Sequence, residues 1–125
     1  MKTQLVYKVV DGKNPFVSLT YNYIPHIYGL IYRLNERTYP INGLIFTFDS
    51  LEYAKQYDLP FDTTILKGIG YNPRRLKVVC NRTIDFDNFW KNYFAKKSTQ
   101  KYALRLLKST RFIGVESFLP LEIVK

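Results

Sequence analysis

The first half of the chain alternates short apolar runs with polar turns, a pattern typical of antiparallel strands. Residues 5–10 form one apolar run, an Asp11-Gly12 turn signal follows, and residues 15–21 provide the return strand. Apolar and polar residues alternate in this return strand, which predicts one buried face. Further strands are predicted at residues 28–34, 44–48, 63–69 and 76–80.

Between the fourth and fifth predicted strands the apolar period changes to that of a helix. Asp49 or Ser50 provides an N-cap, and Glu52 follows at the spacing of a capping box. One helix face is apolar, and its members are Leu51, Ala54 and Tyr57. We expect this short helix to end before Pro60.

The C-terminal third begins with an aromatic stripe at helical spacing, formed by Phe86, Phe89, Trp90, Tyr93 and Phe94. Asp85 is the predicted N-cap of this helix. A second helix is predicted from Ser98 or Thr99 to about Lys108, followed by a tail or closing strand. We interpret the aromatic stripe as a face that covers the sheet; a platform for stacking bases is the alternative.

These elements predict an α+β fold with a curled, mostly antiparallel sheet of about five to six strands. One short helix and a C-terminal pair of helices accompany the sheet. With 125 residues the chain is long enough for one domain and too short for two ordinary ones. Within this domain we distinguish a β-rich part (1–84), a basic helical part (85–110) and a C-terminal tail or closing strand (111–125).

Positive charge is concentrated in one stretch of the chain. Residues 67–111 contain twelve Lys and Arg but only two acids, Asp85 and Asp87, which is a net charge of +10. The remaining residues carry seven bases and eight acids. Such asymmetry predicts a polyanionic partner, most often nucleic acid.

On the second predicted helix, Lys97, Lys101, Arg105 and Lys108 recur at the spacing of one outer ridge. Arg74 and Arg75 belong to a predicted basic loop at residues 70–75, and Lys77 follows it. Arg is suited to bidentate phosphate contacts. The predicted partner is a DNA or RNA backbone, or an acidic protein or nucleoprotein surface. The alternative is a solvated face that keeps the protein soluble. The full candidate set is Arg74, Arg75, Lys77, Lys97, Lys101, Arg105, Lys108 and Arg111.

Tyrosine is abundant, with eleven residues, and several of them offer a protein contact surface. The candidates are Tyr21, Tyr23, Tyr28, Tyr32 and Tyr39. A protein–protein interaction module is therefore the second functional hypothesis, for example an inhibitor of a host enzyme or a minor virion component. Half-buried strand surface is the structural explanation for the same residues.

Cysteine and histidine, which serve in many metal and catalytic sites, each occur once in the chain. One cysteine, Cys80, excludes an intramolecular disulfide, and with the lone His26 it cannot supply a usual zinc site. We interpret Asp85 and Asp87 as a helix cap and a dipole partner, not as a metal-binding pair. No phosphate-binding glycine loop is present. We therefore predict no metal, no cofactor and no catalytic residue, and a binding protein is favoured over an enzyme.

No apolar stretch approaches the ~20 residues needed to span a bilayer, and the N-terminus does not read as a signal peptide. We therefore expect a soluble, intracellular protein that does not bind membranes. The oligomeric state is left open.

Short segments in residues 5–70 resemble small uncharacterised proteins of phages and large DNA viruses. They are the opening strand Val6-Tyr7-Lys8-Val9-Val10, the segments 16–18 and 32–34, and the apolar strand 43–48 followed by Asp49-Ser50. The resemblance implies a viral accessory protein located in the cytoplasm of the host cell, or alternatively in the virion.

The same layout is similar, more remotely, to one half of the ADP-ribosyltransferase fold. That resemblance would place Lys8 where the family carries a first-strand Arg or His, Ser50 at the middle element and Glu116 as the late acid. Gly114 stands where many such enzymes carry Gln or Glu. The resemblance implies, as a third hypothesis, a degenerate transferase-like protein that binds NAD.

Overall fold

The computed structural model describes residues 1–12, 16–18, 30–56, 63–76, 78–80, 86–99, 103–105 and 112–124, with the backbone alone at 78–80, 86 and 103–105. Within these ranges it contains two helices, α1 (Leu51–Gln56) and α2 (Phe86–Phe94). The strands are β1 (Thr3–Asp11), β2 (Phe16–Ser18), β3 (Ile31–Tyr32), β4 (Ile45–Phe48), β5 (Thr63–Tyr71), β6 (Arg74–Arg75), β7 (Val78–Cys80), β8 (Ala103–Arg105), β9 (Phe112–Val115) and β10 (Ser117–Ile123).

β1 is the central strand of an eight-stranded sheet. From end to end it pairs antiparallel with β5, while its other edge pairs with β4 at Tyr7 and with β2 at Val10 and Asp11. The main order is β10-β5-β1-β4-β9-β6, and β3 joins through β2. Only Glu116 separates β9 from β10 in the chain. The sheet therefore curls back on itself, because β10 and β9 lie four strand pairings apart along this order.

The inner face of the curled sheet is packed with aliphatic and aromatic side chains. This inner cluster comprises Val6, Val10, Phe16, Tyr32, Ile45, Leu66, Ile113, Val115 and Phe118. A Cβ added at Gly70 would lie only 2.5 Å from Val115 Cγ1 and 3.1 Å from Val6 Cγ2. Side chains from distant parts of the sheet thus meet above Gly70, where only hydrogen fits.

The outer face is covered by helix α2 and by α1. Its cluster comprises Val9, Leu44, Phe48, Ala54, Ile65, Leu76, Phe89, Trp90 and Phe112. Trp90 is fully buried and its ring stacks on Phe46, with centroids 5.5 Å apart. The ring also packs on Gly43, which has φ of +75°. A Cβ at Gly43 would approach the Trp90 ring to about 2 Å, so this contact requires glycine for both space and backbone conformation.

Within the described residues, the strands predicted in the first half are confirmed at β1, β2, β3, β4 and β5. The first predicted helix is confirmed as α1. Of its two candidate caps Ser50 is the N-cap, because its carbonyl accepts the first helical hydrogen bond, from Ala54 N–H at 3.1 Å. The aromatic stripe is confirmed as helix α2. The mostly antiparallel sheet is also confirmed, with eight strands in place of five to six.

The second C-terminal helix is not shown, and its prediction is wrong at Ala103–Arg105, which form β8. This strand pairs antiparallel with β7, and its partners include the β-branched Val78 and Val79. Backbone pairing with a strand more than twenty residues earlier overrides the local helical spacing. Lys97, Lys101, Arg105 and Lys108 therefore do not form a ridge on a continuous helix.

The predicted basic loop at residues 70–75 is also partly ordered as strand. β5 extends to Tyr71, and β6 adds Arg74 and Arg75 to the edge of β9. Asn72, with φ of +51°, forms the turn between them. The C-terminal segment predicted as a tail or closing strand forms two strands, β9 and β10.

Candidate nucleic-acid interface

The end of helix α2 sets the position of two lysines. Lys96 N–H donates to the carbonyl of Tyr93 at 3.1 Å, and Lys97 N–H donates to that of Asn92 at 2.8 Å. With φ of +59° at Lys96, this is a Schellman motif in which lysine holds the place that glycine usually takes. The motif stops the helix and leaves both lysine side chains exposed.

Arg74 lies beside this helix end. Its guanidinium Cζ is 5.7 Å from the centroid of the Phe94 ring, within the range of a cation–π contact. Phe94 is 46% exposed, although Phe89 and Trp90 on the same stripe are fully buried. The contact therefore brings Arg74, a predicted site residue, to the helix end that carries the predicted Lys97 and also Lys96, on one exposed surface.

Arg75, the next residue, has a different environment. Its Nη1 is 3.9 Å from Oδ2 of Asp49, whose side chain is only 9% exposed. Successive residues of a strand point to opposite sides, which separates Arg75 from the Phe94 contact. The Asp49 carboxylate offsets part of the Arg75 charge, so the two neighbouring arginines are not equivalent for a polyanion.

The structure describes only part of the predicted binding set. Lys77, Lys101, Lys108 and Arg111 lie outside the described residues, and Arg105 is described by its backbone in β8. Of the predicted tyrosine contacts, Tyr21, Tyr23 and Tyr28 also lie outside them. Tyr32 belongs to the inner cluster at 1% exposure, so its ring is not presented at the surface, whereas Tyr39 is 60% exposed.

Sequence reasoning missed Arg37, whose guanidinium is held by contacts from distant strands. Its Nε donates to Ser117 Oγ at 2.7 Å. Its Cζ lies 3.6 Å from the Tyr71 ring centroid and 5.0 Å from that of Tyr39. Because Ser117 and Tyr71 are far from Arg37 in the chain, no local spacing could have indicated this cluster.

Lys8 is a basic residue in an apolar environment. It lies on β1 between Val6 and Val10, facing the inner cluster, with its Nζ 6.0 Å from the Tyr32 ring centroid. Burial lowers the pKa of Lys8 to about 8. Burial also raises the pKa of the neighbouring Tyr32 hydroxyl, although a hydrogen bond with Ser18 opposes that shift.

The three residues implied by the transferase resemblance have separate environments. Lys8 is partly buried at the inner face, and Ser50 caps α1. Glu116 is exposed between β9 and β10, where its carboxylate accepts a hydrogen bond from Asn72 Nδ2 at 2.5 Å. The described contacts do not bring these three side chains to one site.

Among the residues described, no three His, Cys, Asp or Glu side chains are grouped in a way that could hold a metal ion. In the same part of the chain, no helix has both the length and the apolar character needed to cross a membrane. Comparison with known proteins found no matching family model, no matching curated protein and no matching solved structure.

Proposed function

We propose that this protein binds nucleic acid, without catalysis, by neutralising backbone phosphates at an exposed basic surface. The described centre of this surface is the Arg74–Phe94 contact together with Lys96 and Lys97, which we call the α2-end surface. The observation that carries the proposal is the 5.7 Å contact that brings Arg74 to the helix end. It unites cations from two separate segments of the most basic part of the chain.

The lack of a described ion pair at the cations of the α2-end surface strengthens this assignment. Within the described ranges the two ion pairs are Lys67–Glu122 and Arg75–Asp49, and neither involves the α2-end surface. Lys96 and Lys97 are favoured by the negative end of the α2 dipole, which accounts for a cation or two there. It does not account for Arg74, which belongs to a strand, or for the net charge of +10 over residues 67–111.

The cellular setting is part of the proposal. The resemblance of residues 5–70 to small phage and viral proteins favours an accessory protein that acts in the host cytoplasm, or one carried in the virion. The partner is then DNA, RNA or a nucleoprotein. Phosphate contacts alone carry no sequence information, so we expect little discrimination between base sequences.

A charge-reversal experiment tests the α2-end surface directly. Fluorescence anisotropy with labelled DNA and RNA oligomers should show the Arg74→Glu, Lys97→Glu double variant binding roughly tenfold to a hundredfold more weakly than the unmodified protein. All four residues changed here and in the control are exposed, so the fold should be retained.

The matched control is the Arg33→Glu, Lys55→Glu double variant, which changes the net charge equally at exposed positions after β3 and in α1. It should keep most of the affinity. Equal losses in the two double variants would show that net charge alone governs binding, and retained affinity in Arg74→Glu, Lys97→Glu would refute the assignment.

A second candidate function, protein binding, is supported by exposed apolar side chains in one segment. Leu34, Tyr39 and Ile41 are 37%, 60% and 64% exposed. Tyrosine with aliphatic neighbours is typical of interface cores. This function predicts a defined protein partner whose affinity changes little with salt. Calorimetry with the isolated partner measures this affinity, and Tyr39→Ala should weaken it.

A further inference from the structure

Two aromatic rings are exposed in the described part of the chain, and each has an arginine beside it. Tyr39 is 60% exposed and Phe94 is 46% exposed. The guanidinium of Arg37 lies 5.0 Å from the Tyr39 ring centroid, and that of Arg74 lies 5.7 Å from the Phe94 ring centroid. Both sites thus pair a stacking surface with a phosphate-binding group.

The Arg37 guanidinium is held in place before any ligand binds. The Ser117 hydroxyl accepts from its Nε at 2.7 Å, and the Tyr71 ring lies against it at 3.6 Å. Its Nη2 has a weak contact with the Met1 sulfur at 3.9 Å. Ordering an arginine side chain costs entropy on binding, so these contacts reduce the cost of meeting a phosphate.

Two short stretches of chain connect the two arginine–aromatic pairs. Tyr71, which packs on Arg37, is three residues before Arg74. On the neighbouring segment Gly114, the strand partner of Arg74, is three residues before Ser117, which binds Arg37. Three residues span at most about 11 Å between Cα atoms, so the pairs are close neighbours along both routes.

The two pairs also belong to the same side of the sheet. Strand residues alternate between faces, so Tyr71 shares the face of Ile65, which belongs to the outer cluster with Trp90 of α2. Phe94 follows Trp90 by one helical turn and stacks with it at 5.7 Å. Arg37, through Tyr71, and Phe94, through Trp90, are therefore both in contact with the outer face of the sheet, and Tyr39 lies beside Arg37.

We propose that Arg37, Tyr39, Arg74 and Phe94 form a track for single-stranded nucleic acid, with bases stacked on the two rings and phosphates against the two guanidiniums. This inference rests on the proposed function and specifies its ligand. In a duplex the base faces are already stacked on each other, so the rings contribute nothing there. The track therefore predicts a preference for single strands, with tolerance of base sequence.

One acid lies within this track and opposes phosphate binding. Glu116 is exposed between Gly114 and Ser117, and its carboxylate accepts the Asn72 amide. Replacement by glutamine keeps the size and a hydrogen-bonding oxygen but removes the charge. Glu116→Gln should therefore bind single strands more tightly, by a fewfold, since a phosphate then meets less repulsion.

The test compares single-stranded oligothymidylate with a duplex of the same length by fluorescence anisotropy. Tyr39→Leu and Phe94→Leu should each weaken single-strand binding by about fivefold to a hundredfold, as expected for the loss of one base–ring stack. In Tyr39→Leu, which lies outside the α2-end surface, duplex affinity should not change. Circular dichroism checks the fold, and Tyr39→Leu is the decisive variant because the Phe94 ring also contacts Trp90 and Tyr93.

The outcomes separate this inference from the proposed function. Equal affinity for the two forms, with Tyr39→Leu unchanged on both, overturns the track but leaves phosphate binding intact. A single-strand preference that Tyr39→Leu abolishes supports both. Failure to bind either form at low salt overturns both together.

Discussion

Lysine occupies two opposite environments in this protein, one partly buried and one exposed. The comparison distinguishes residues that affect stability from residues that affect binding. Lys8 is partly buried on the inner face of the sheet, where burial lowers its pKa to about 8. Lys96 and Lys97 are exposed after α2, with no described acid paired to them. A cation in apolar surroundings opposes folding, whereas exposed cations cost little and attract phosphates. Changes at the inner face should therefore alter stability, and changes at the α2-end surface should alter binding.

The largest effect on stability is expected at the buried Gly43–Trp90 contact, which holds α2 and thus the α2-end surface in place. Gly43→Ala forces a Cβ into the Trp90 ring and a non-glycine residue into φ of +75°. We expect a loss of about 3–5 kcal/mol in the free energy of unfolding, measured by urea denaturation. Because Trp90 anchors α2, nucleic-acid affinity should fall as well. This contact would then affect both stability and binding.

Gly114→Ala is the matched control for Gly43→Ala. Its added Cβ would meet only the tips of flexible side chains, Leu44 Cδ1 at 2.9 Å and Leu76 Cδ1 at 3.0 Å, and its φ is not positive. The loss should be about 1 kcal/mol. Equal losses in the two variants would contradict the role given to the Gly43–Trp90 contact.

The next effect concerns pH and Lys8. Its folded pKa of about 8 is below the ordinary 10.5, so between these values the unfolded chain binds a proton that the folded protein does not. The free energy of unfolding should therefore rise with pH from about 8. Above pH ~10 the rise should be opposed, because unfolded tyrosines ionise while the raised pKa of Tyr32 keeps its hydroxyl protonated in the folded protein.

Lys8→Met isolates this contribution. Methionine retains the length and apolar character of the side chain without a charge, so the variant should be about 1–3 kcal/mol more stable at neutral pH. Urea denaturation across the pH series should show that its stability no longer rises from pH 8. Parallel curves for the variant and the unmodified protein would mean that the Lys8 amine is well solvated.

The smallest effect distinguishes the two exposed lysines. Lys96 has φ of +59° and Lys97 does not have a positive φ, so glycine relieves backbone strain only at position 96. Lys96→Gly should raise the free energy of unfolding by about 1 kcal/mol, whereas Lys97→Gly should not. Each removes one cation and should weaken nucleic-acid binding similarly. Equal stability of the two variants would contradict the backbone strain assigned to Lys96. Unequal affinities would contradict the equal contribution of the two lysines to binding.

The sequence predicted the elements whose residues interact locally. α1 and α2 have clear helical periods, and β1, β4 and β5 are apolar runs bounded by turn residues, so local patterns were sufficient for all five. The second C-terminal helix was predicted wrongly at Ala103–Arg105 because β8 is defined by its pairing with β7, which the helical spacing of Lys97, Lys101, Arg105 and Lys108 does not reflect. Local periodicity carries no information about pairing with a strand that is distant in the chain.

The candidate site was predictable in charge but not in geometry. The excess of Lys and Arg pointed to Arg74 and Lys97, yet nothing in the sequence showed that Arg74 meets Phe94 or that Asp49 faces Arg75. Arg37 could not be found, because Ser117 and Tyr71 approach it only through the curled sheet. The opposing environments of Lys8 and Lys96 likewise depend on which face each backbone position presents.

The central claim, that exposed cations at the α2-end surface bind backbone phosphates, is tested most directly by the salt dependence of nucleic-acid affinity. The logarithm of the association constant should fall linearly with the logarithm of salt concentration. The slope should be smaller in the Arg74→Glu, Lys97→Glu variant by roughly two released counterions. A flat dependence in the unmodified protein, or the same slope in both proteins, would contradict the account.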